Sequence, residues 1–182
     1  MFMNNSLKIL FFVLIGALGF ISCSKKSDNP VAPGGSQTTE LKLTIGTQQI
    51  TFNQGIGGYA INENVSYVQF TKAESGDTLL FIMIFDGKAT GNQNWNVNND
   101  LGVILFQYGA SGTIIFSPLN GSTNITAYGN VGGYISGTFT GQLQDQNGSS
   151  VNINGNFSVQ RSADIQTIGG ENKINSQRQN IE

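Results

Sequence analysis

The stretch YISGTFTGQLQDQNGSSVNINGNFSVQ, residues 134–160, decides the fold, because it contains two alternating runs joined by a turn sequence. Every second residue from Ile135 to Leu143 is apolar or glycine, and the same holds from Val151 to Val159. Alternation with a period of two is typical of a strand that buries one face. The stretch therefore predicts an antiparallel hairpin.

The register of this hairpin depends on the length of its turn. A two-residue turn at 147–148 would set apolar Leu143 against polar Asn152. A three-residue loop, 146–148, sets Leu143 against Val151; it starts a type I turn at Asp145 and uses Gly148 as the left-handed residue of a bulge. We predict the longer loop, because it keeps the apolar residues of both strands on one face. In that register each aromatic ring covers a glycine across the strand pair: Phe139 covers Gly155, and Phe157 covers Gly137.

The hairpin is the end of a longer β-rich region. Runs of Val, Ile, Thr, Phe and Tyr, separated by turn residues such as Asn120-Gly121, recur about every eight to twelve residues. No window has the apolar periodicity of an amphipathic helix. We predict an all-β fold, a single antiparallel β-sandwich, with a partly open β-barrel as the alternative. The predicted strands are 40–45, 48–53, 57–61, 65–71, 78–86, 102–108, 112–117, 122–128, 132–143 and 150–160.

Two of these strands, 78–85 and 103–106, are apolar at both parities. A strand with one face in water alternates, so a continuous apolar run predicts cover on both faces. We expect loops or curvature of the sheet to supply that cover. The alternative is an uncovered outer patch that meets a partner.

The N-terminal region predicts secretion and lipid attachment. A basic residue, Lys8, precedes an apolar run at 9–21, which is shorter than the roughly 20 residues that span a bilayer. The run ends at Cys23, the one cysteine of the chain, and resembles a lipobox with Phe20 at the position where Leu is usual. We predict a signal peptide at 1–22, lipidation at Cys23, a flexible tether at 23–39, a β domain at 40–161 and a polar mobile tail at 162–182.

One part of the chain resembles a known group of proteins. The resemblance is carried by YGNVGGYISGTFTG (residues 128–141), DQNG (145–148) and VNINGNFSVQR (151–161), together with the Cys-Ser-Lys-Lys start of the predicted mature chain. This pattern is similar to the closing hairpin of β-rich lipoproteins of Bacteroidetes, a domain-of-unknown-function family. The resemblance implies an envelope lipoprotein, and Ser24 after the cysteine is compatible with sorting to the outer membrane. It implies no particular activity.

The composition narrows the chemistry. The chain has no histidine, and its one cysteine is assigned to the lipid, so Ser-His-Asp triads, cysteine nucleophiles and most zinc sites are excluded. The net charge of −2 gives no basic surface for nucleic acid. We predict no cofactor and no metal. The 145–148 segment is interpreted as a turn and not a calcium loop, and the Asp86 and Asp100 pair is only a weak candidate for paired catalytic carboxylates.

Trp95 is the remaining candidate for a ligand contact. It lies among amides in GNQNWNVNN, residues 91–99, and an exposed indole beside amide groups suits the apolar faces and hydroxyls of a sugar. The alternative is that Trp95 anchors this segment to the core. The leading hypothesis is a non-catalytic, lipid-anchored module of the cell envelope that binds a glycan or a protein partner. Two alternatives remain: a carboxylate-dependent hydrolase of envelope or extracellular polysaccharide, and a structural envelope subunit.

Overall fold

The computed structural model describes residues 37–98, 101–110 and 112–168. This part of the chain forms ten strands and no helix. In chain order the strands are β1 (Glu40–Ile45), β2 (Gln48–Phe52), β3 (Gln54–Ala60), β4 (Val65–Glu74), β5 (Asp77–Asp86), β6 (Gly91–Asn96), β7 (Gly102–Gly109), β8 (Gly112–Tyr128), β9 (Tyr134–Asp145) and β10 (Ser150–Gln160).

All of these strands pair antiparallel within one sheet, in the order β2-β1-β10-β9-β8-β7-β5-β4-β3. β6 is outside this order and pairs with β8. The sheet curves until its β3 end meets the chain that follows β10, so it is nearly closed. The all-β antiparallel class is confirmed. Of the two predicted architectures, a β-sandwich and a partly open β-barrel, the sheet corresponds to the barrel.

The β9–β10 hairpin has the predicted register. Phe139 pairs with Gly155, Phe157 with Gly137, and Leu143 with Val151. In the turn the amide of Gly148 donates to the carbonyl of Asp145 at 3.1 Å, and Gly148 has φ of 87°. The length of the loop therefore fixes which residues of the two strands face each other.

A large apolar cluster fills the inside of the curved sheet. Phe81 lies within it, 5.2 Å from Phe139 between ring centroids. Its buried members are Leu41, Leu43, Ile50, Phe52, Val68, Phe70, Phe81, Met83, Phe85, Trp95, Val103, Leu105, Ile125, Ile135, Phe139, Leu143, Ile153, Phe157 and Val159.

A second, smaller cluster explains the doubly apolar strands. It contains Leu80, Ile82, Ile84 and Phe106, which alternate with residues of the inner cluster along β5 and β7 and so lie on the other face of the sheet. These four side chains are 3–8% exposed. Both faces of the two strands are therefore buried, as the continuous apolar runs predict. The uncovered patch, which would have supported a structural subunit, is not observed at these residues.

Two predicted boundaries are wrong. Residues 91–96, which are absent from the predicted strands, form β6, because pairing with β8 stabilises a segment that has few β-formers. Asn120-Gly121 is not a turn: it lies inside β8, which continues from 112 to 128 with an irregularity between Pro118 and Asn120. Residues 112–116 of β8 pair with β7, and residues 120–125 pair with β6. One long strand therefore replaces the two that were predicted.

The predicted mobile tail begins too early. Residues 161–168, which we name the closing segment, run parallel to β3, with bridges from Gly57 to Arg161 and from Ala60 to Ile165. Its main-chain hydrogen bonds join Ser162 N to Gly57 O (2.7 Å), Ile165 N to Tyr59 O (2.9 Å), Ile61 N to Ile165 O (2.9 Å) and Asn62 N to Gln166 O (3.0 Å). The start of the tail therefore belongs to the sheet, and residues 169–182 lie outside the described part.

Candidate functional site

Trp95 is not part of an exposed site. Its side chain is 3% exposed and belongs to the inner apolar cluster. The indole Nε1 donates to Thr123 Oγ1 at 3.2 Å, and that hydroxyl contacts Met83 Sδ at 3.3 Å. The premise of the ligand hypothesis, an exposed indole face, is wrong, and the alternative of a core anchor is what the structure has.

Glycines make room for this indole. A Cβ built on Gly121 would lie 2.3 Å from Trp95 Cζ2, and one on Gly141 would lie 2.4 Å from Cη2. Gly102 approaches the other end of the ring, where a Cβ would lie 2.9 Å from Cδ2. These distances are too short for any side chain, so the three glycines are required by the ring.

The acidic side chains of the described part of the chain do not form a cluster. Asp145 caps its own turn, since its Oδ1 accepts from the amides of Asn147 (2.9 Å) and Ser149 (2.8 Å). Glu40 pairs with Lys42 at 3.1 Å, and Glu74 pairs with Lys72 at 2.9 Å. Asp100, the predicted partner of Asp86, lies outside the described residues, as does Cys23. Within the described part, no group of three or more acids, histidines or cysteines could hold a metal ion.

The strongest polar cluster lies at the closing segment. Arg161, only 7% exposed, donates from Nη1 to Gly129 O at 3.0 Å, pairs through Nη2 with Asp164, and lies 5.1 Å from the Tyr128 ring. Lys88 also pairs with Asp164, at 2.8 Å. The hydrogen bond from Lys88, with help from Arg161, holds the pKa of Asp164 below its ordinary value. Because Arg161 and Lys88 are both paired with Asp164, we interpret the cluster as a structural one that holds the closing segment against the sheet.

A different surface has the properties of a recognition site: the outer face of β8, β9 and β10. Direct cross-strand pairing sets its side chains in three rows, because paired residues share a face. We name these nine residues the amide–hydroxyl face. The first row is Asn120, Gln142 and Asn152; the second is Ser122, Thr140 and Asn154; the third is Asn124, Thr138 and Asn156.

The first row is already joined by hydrogen bonds. Asn120 Nδ2 donates to Gln142 Oε1 at 3.2 Å, and Gln142 Nε2 donates to Asn152 Oδ1 at 3.0 Å. The amides therefore point the same way along the row and polarise one another. This ladder fixes the side chains at one border of the face.

The second and third rows are open to solvent. Among the described residues, none of their side chains has a hydrogen-bond partner in another side chain. Ser122 is half-buried and the other five are exposed. Each hydroxyl both donates and accepts, and each amide offers two donors and one carbonyl oxygen, so the two rows are a dense and mixed set of hydrogen-bonding groups.

The face is uncharged and has no aromatic ring. The rows continue onto β6 through Asn92, Asn94 and Asn96, and onto β1 through Thr44 and Lys42. Lys42 is the one charged member of this extension, and its ammonium is paired with Glu40. Such a surface can hydrogen-bond a polar, neutral ligand, but it offers neither ion pairing nor ring stacking.

Sequence reasoning missed this face because neighbours in a row are distant along the chain. Along 136–156 the alternating polar residues indicate only that one face of a hairpin is in solvent. The face needs β8 beside the β9–β10 hairpin to reach three strands. The pairing of β8 with β9 contains an irregularity between Pro118 and Asn120 that turn rules do not predict.

Comparisons with other proteins add no assignment to these observations. In the described part of the chain, no helix has the length and apolar character needed to cross a bilayer. The chain matches no family model, and no curated protein and no solved structure resembles it significantly.

Proposed function

We propose that the protein is a lipid-anchored lipoprotein of the cell envelope, attached to the outer membrane, that binds a glycan through the amide–hydroxyl face without catalysing a reaction. The observation that carries this proposal is the pair of open rows, a neutral set of donors and acceptors with a fixed spacing. Sugars present closely spaced hydroxyls, each a donor and an acceptor, and they carry no charge unless modified.

A glycan suits this face better than a protein partner does. The cores of protein interfaces are enriched in aromatic residues, Met and Arg, none of which occurs among the nine residues of the face. Each net hydrogen bond contributes about 0.5–1.5 kcal/mol. A handful of them gives an affinity near the millimolar range, about −4 kcal/mol. Many copies anchored on one surface would raise the effective affinity through multivalency.

The anchor is supported by the sequence. The apolar run at 9–21 ends just before Cys23, and the first strand begins at Glu40, so the polar stretch 24–39 separates the proposed lipid from the sheet. With the fatty chains on Cys23 contributing about 0.8 kcal/mol per buried methylene, two or three chains give stable attachment.

The binding test uses the mature chain, residues 23–182, with Cys23→Ser to keep it in solution. An array of neutral and anionic polysaccharides is titrated by affinity electrophoresis, with Thr140→Val and Asn154→Ala as face variants. Thr113→Val is the matched control, since Thr113 is an exposed strand threonine outside the face. We expect retardation by at least one neutral polysaccharide and a loss of it in both face variants. Equal retardation of all variants would place binding elsewhere, and no retardation by any sugar would refute the proposal.

A further inference from the structure

We propose that the ligand is a neutral β-1,4-linked pyranose chain lying across the strands, with one sugar unit over each of β8, β9 and β10. This inference rests on the proposed glycan-binding function and names the class of glycan. It follows from the spacing of the open rows, from the composition of the middle strand and from the curvature of the sheet.

The spacing across the strands matches an extended sugar chain. Neighbouring strands lie about 4.8 Å apart, and a pyranose unit in an extended β-1,4 chain advances by nearly the same distance. In the second row Ser122, Thr140 and Asn154 follow one another at this interval. The hydrogen-bonded first row demonstrates that polar groups of this size do bridge from strand to strand. A chain along a row therefore meets a new donor or acceptor with every unit.

The spacing along the strands matches the width of the same chain. The second and third rows are two residues apart, about 6.8 Å. A β-1,4 chain is a flat ribbon with equatorial hydroxyls along both of its edges, so one edge can bond to the second row while the other bonds to the third. An α-linked chain curls, and it cannot keep both edges on the two rows.

The middle strand supplies contact for the ring itself. Thr138 and Thr140 on β9 are both exposed and lie at the centre of the two rows. Their γ-methyl groups offer apolar contact to the face of a sugar, while their hydroxyls remain available to its edges. Amides on the flanking strands, such as Asn124 and Asn156, reach the ends of the ribbon.

Curvature limits the length of the contact. The sheet is curved and nearly closed, so the strands beyond β8 and β10 turn away from a straight ligand placed over β9. A rigid chain consequently touches three strands and not the full width of the rows. The net negative charge of −2 and the uncharged face both favour a neutral over an anionic chain.

The test measures affinity against chain length by calorimetric titration of the mature Cys23→Ser chain. The probes are glucose and the cello-oligosaccharides of two to six units, with maltotriose as the α-linked control and the β-1,4-linked glucuronate trimer as the anionic control. We expect about a fivefold gain in affinity per unit, about one net hydrogen bond, up to the trimer and a plateau beyond it. Both control trimers bind at least fivefold more weakly than cellotriose.

Variants establish the direction of the chain. Ser122→Ala and Asn154→Ala, at opposite ends of the second row, each lower the affinity for cellotriose about fivefold and leave that for glucose unchanged, whereas Thr113→Val changes neither. Emission from the one tryptophan, Trp95, verifies that each variant is folded. Equal binding of maltotriose, or a gain that continues past the trimer, overturns this inference and leaves glycan binding standing. Absence of binding by every cello-oligosaccharide also overturns this inference, whereas the proposed function fails only if no polysaccharide of the electrophoresis array binds.

Discussion

Replacement of Trp95 by Ala is expected to remove a large part of the stability of the fold. The indole is 97% buried, and large aromatic-to-Ala changes in cores cost about 3–5 kcal/mol. The upper end of this energy range applies to Trp95, because its neighbours cannot fill the cavity that Ala would leave. Gly102, Gly121 and Gly141 contact the indole and have no side chains that could occupy the space. The lost hydrogen bond to Thr123 adds about 1 kcal/mol.

The expected total, about 6 kcal/mol, is comparable to the whole stability of a small domain. Trp95→Phe is therefore the quantitative probe, since it keeps most of the apolar volume and loses the hydrogen bond. We expect it to cost about 2 kcal/mol. Both variants lack tryptophan, so unfolding is followed by circular dichroism in urea, with wild type measured in the same way.

Two results would contradict the buried position of Trp95. If Trp95→Ala lowers the free energy of unfolding by less than about 1 kcal/mol, the ring does not fill the core as described. Wild-type fluorescence gives an independent check: a buried indole emits to the blue of free tryptophan and resists quenching by acrylamide. An emission like that of free tryptophan would contradict the buried position.

Four further predictions follow from other parts of the structure. Asp164→Asn lowers the free energy of unfolding by about 2 kcal/mol near neutral pH. Because the pKa of Asp164 in the folded state lies below its ordinary value of 3.8, the stability difference from wild type is complete above pH 3.8 and fades as the pH falls through the lowered pKa. A difference that grows in acid would refute the pairing. Gly155→Ala costs about 2 kcal/mol, because its Cβ would lie 2.6 Å from Phe139 Cζ, while the exposed neighbour Asn154→Ala stays within about 0.5 kcal/mol in the same urea titration. Truncation after residue 160 costs about 3 kcal/mol more than truncation after residue 168, because only the shorter chain loses the hydrogen bonds of the closing segment. Cys23→Ser abolishes labelling by a tagged fatty acid and releases the protein from membranes; label retained in the variant would disprove the attachment site.

The hairpin was predictable because its determinants are local. The loop 146–148 and the alternation on both sides of it leave one register that keeps apolar residues together, and Phe139 lies opposite Gly155 as that register requires. Burial on both sides of β5 was predictable for a similar reason: an unbroken apolar run cannot have one face in water.

The long-range features were not predictable from the same rules. Asn120-Gly121 has the sequence of a tight turn, yet Gly121 is needed inside β8 to make space for Trp95, a residue of another strand. β6 has little β-propensity of its own and depends on its partner. The amide–hydroxyl face requires the order and register of three strands at once, so no single stretch of sequence reveals it.

The position of β1 bears on how the domain withstands mechanical load. β1 is the first strand after the proposed tether, and it is hydrogen-bonded on both sides, to β10 from Glu40 to Ile45 and to β2 from Leu41 to Ile45. A pull from the membrane along this strand acts parallel to its length, so the cross-strand bonds on both sides resist sliding together and are not opened one after another. A protein held at one end by lipid and at its outer face by a polymer would experience such a pull whenever the two moved apart, and the hydrogen bonds on both sides of β1 would resist it.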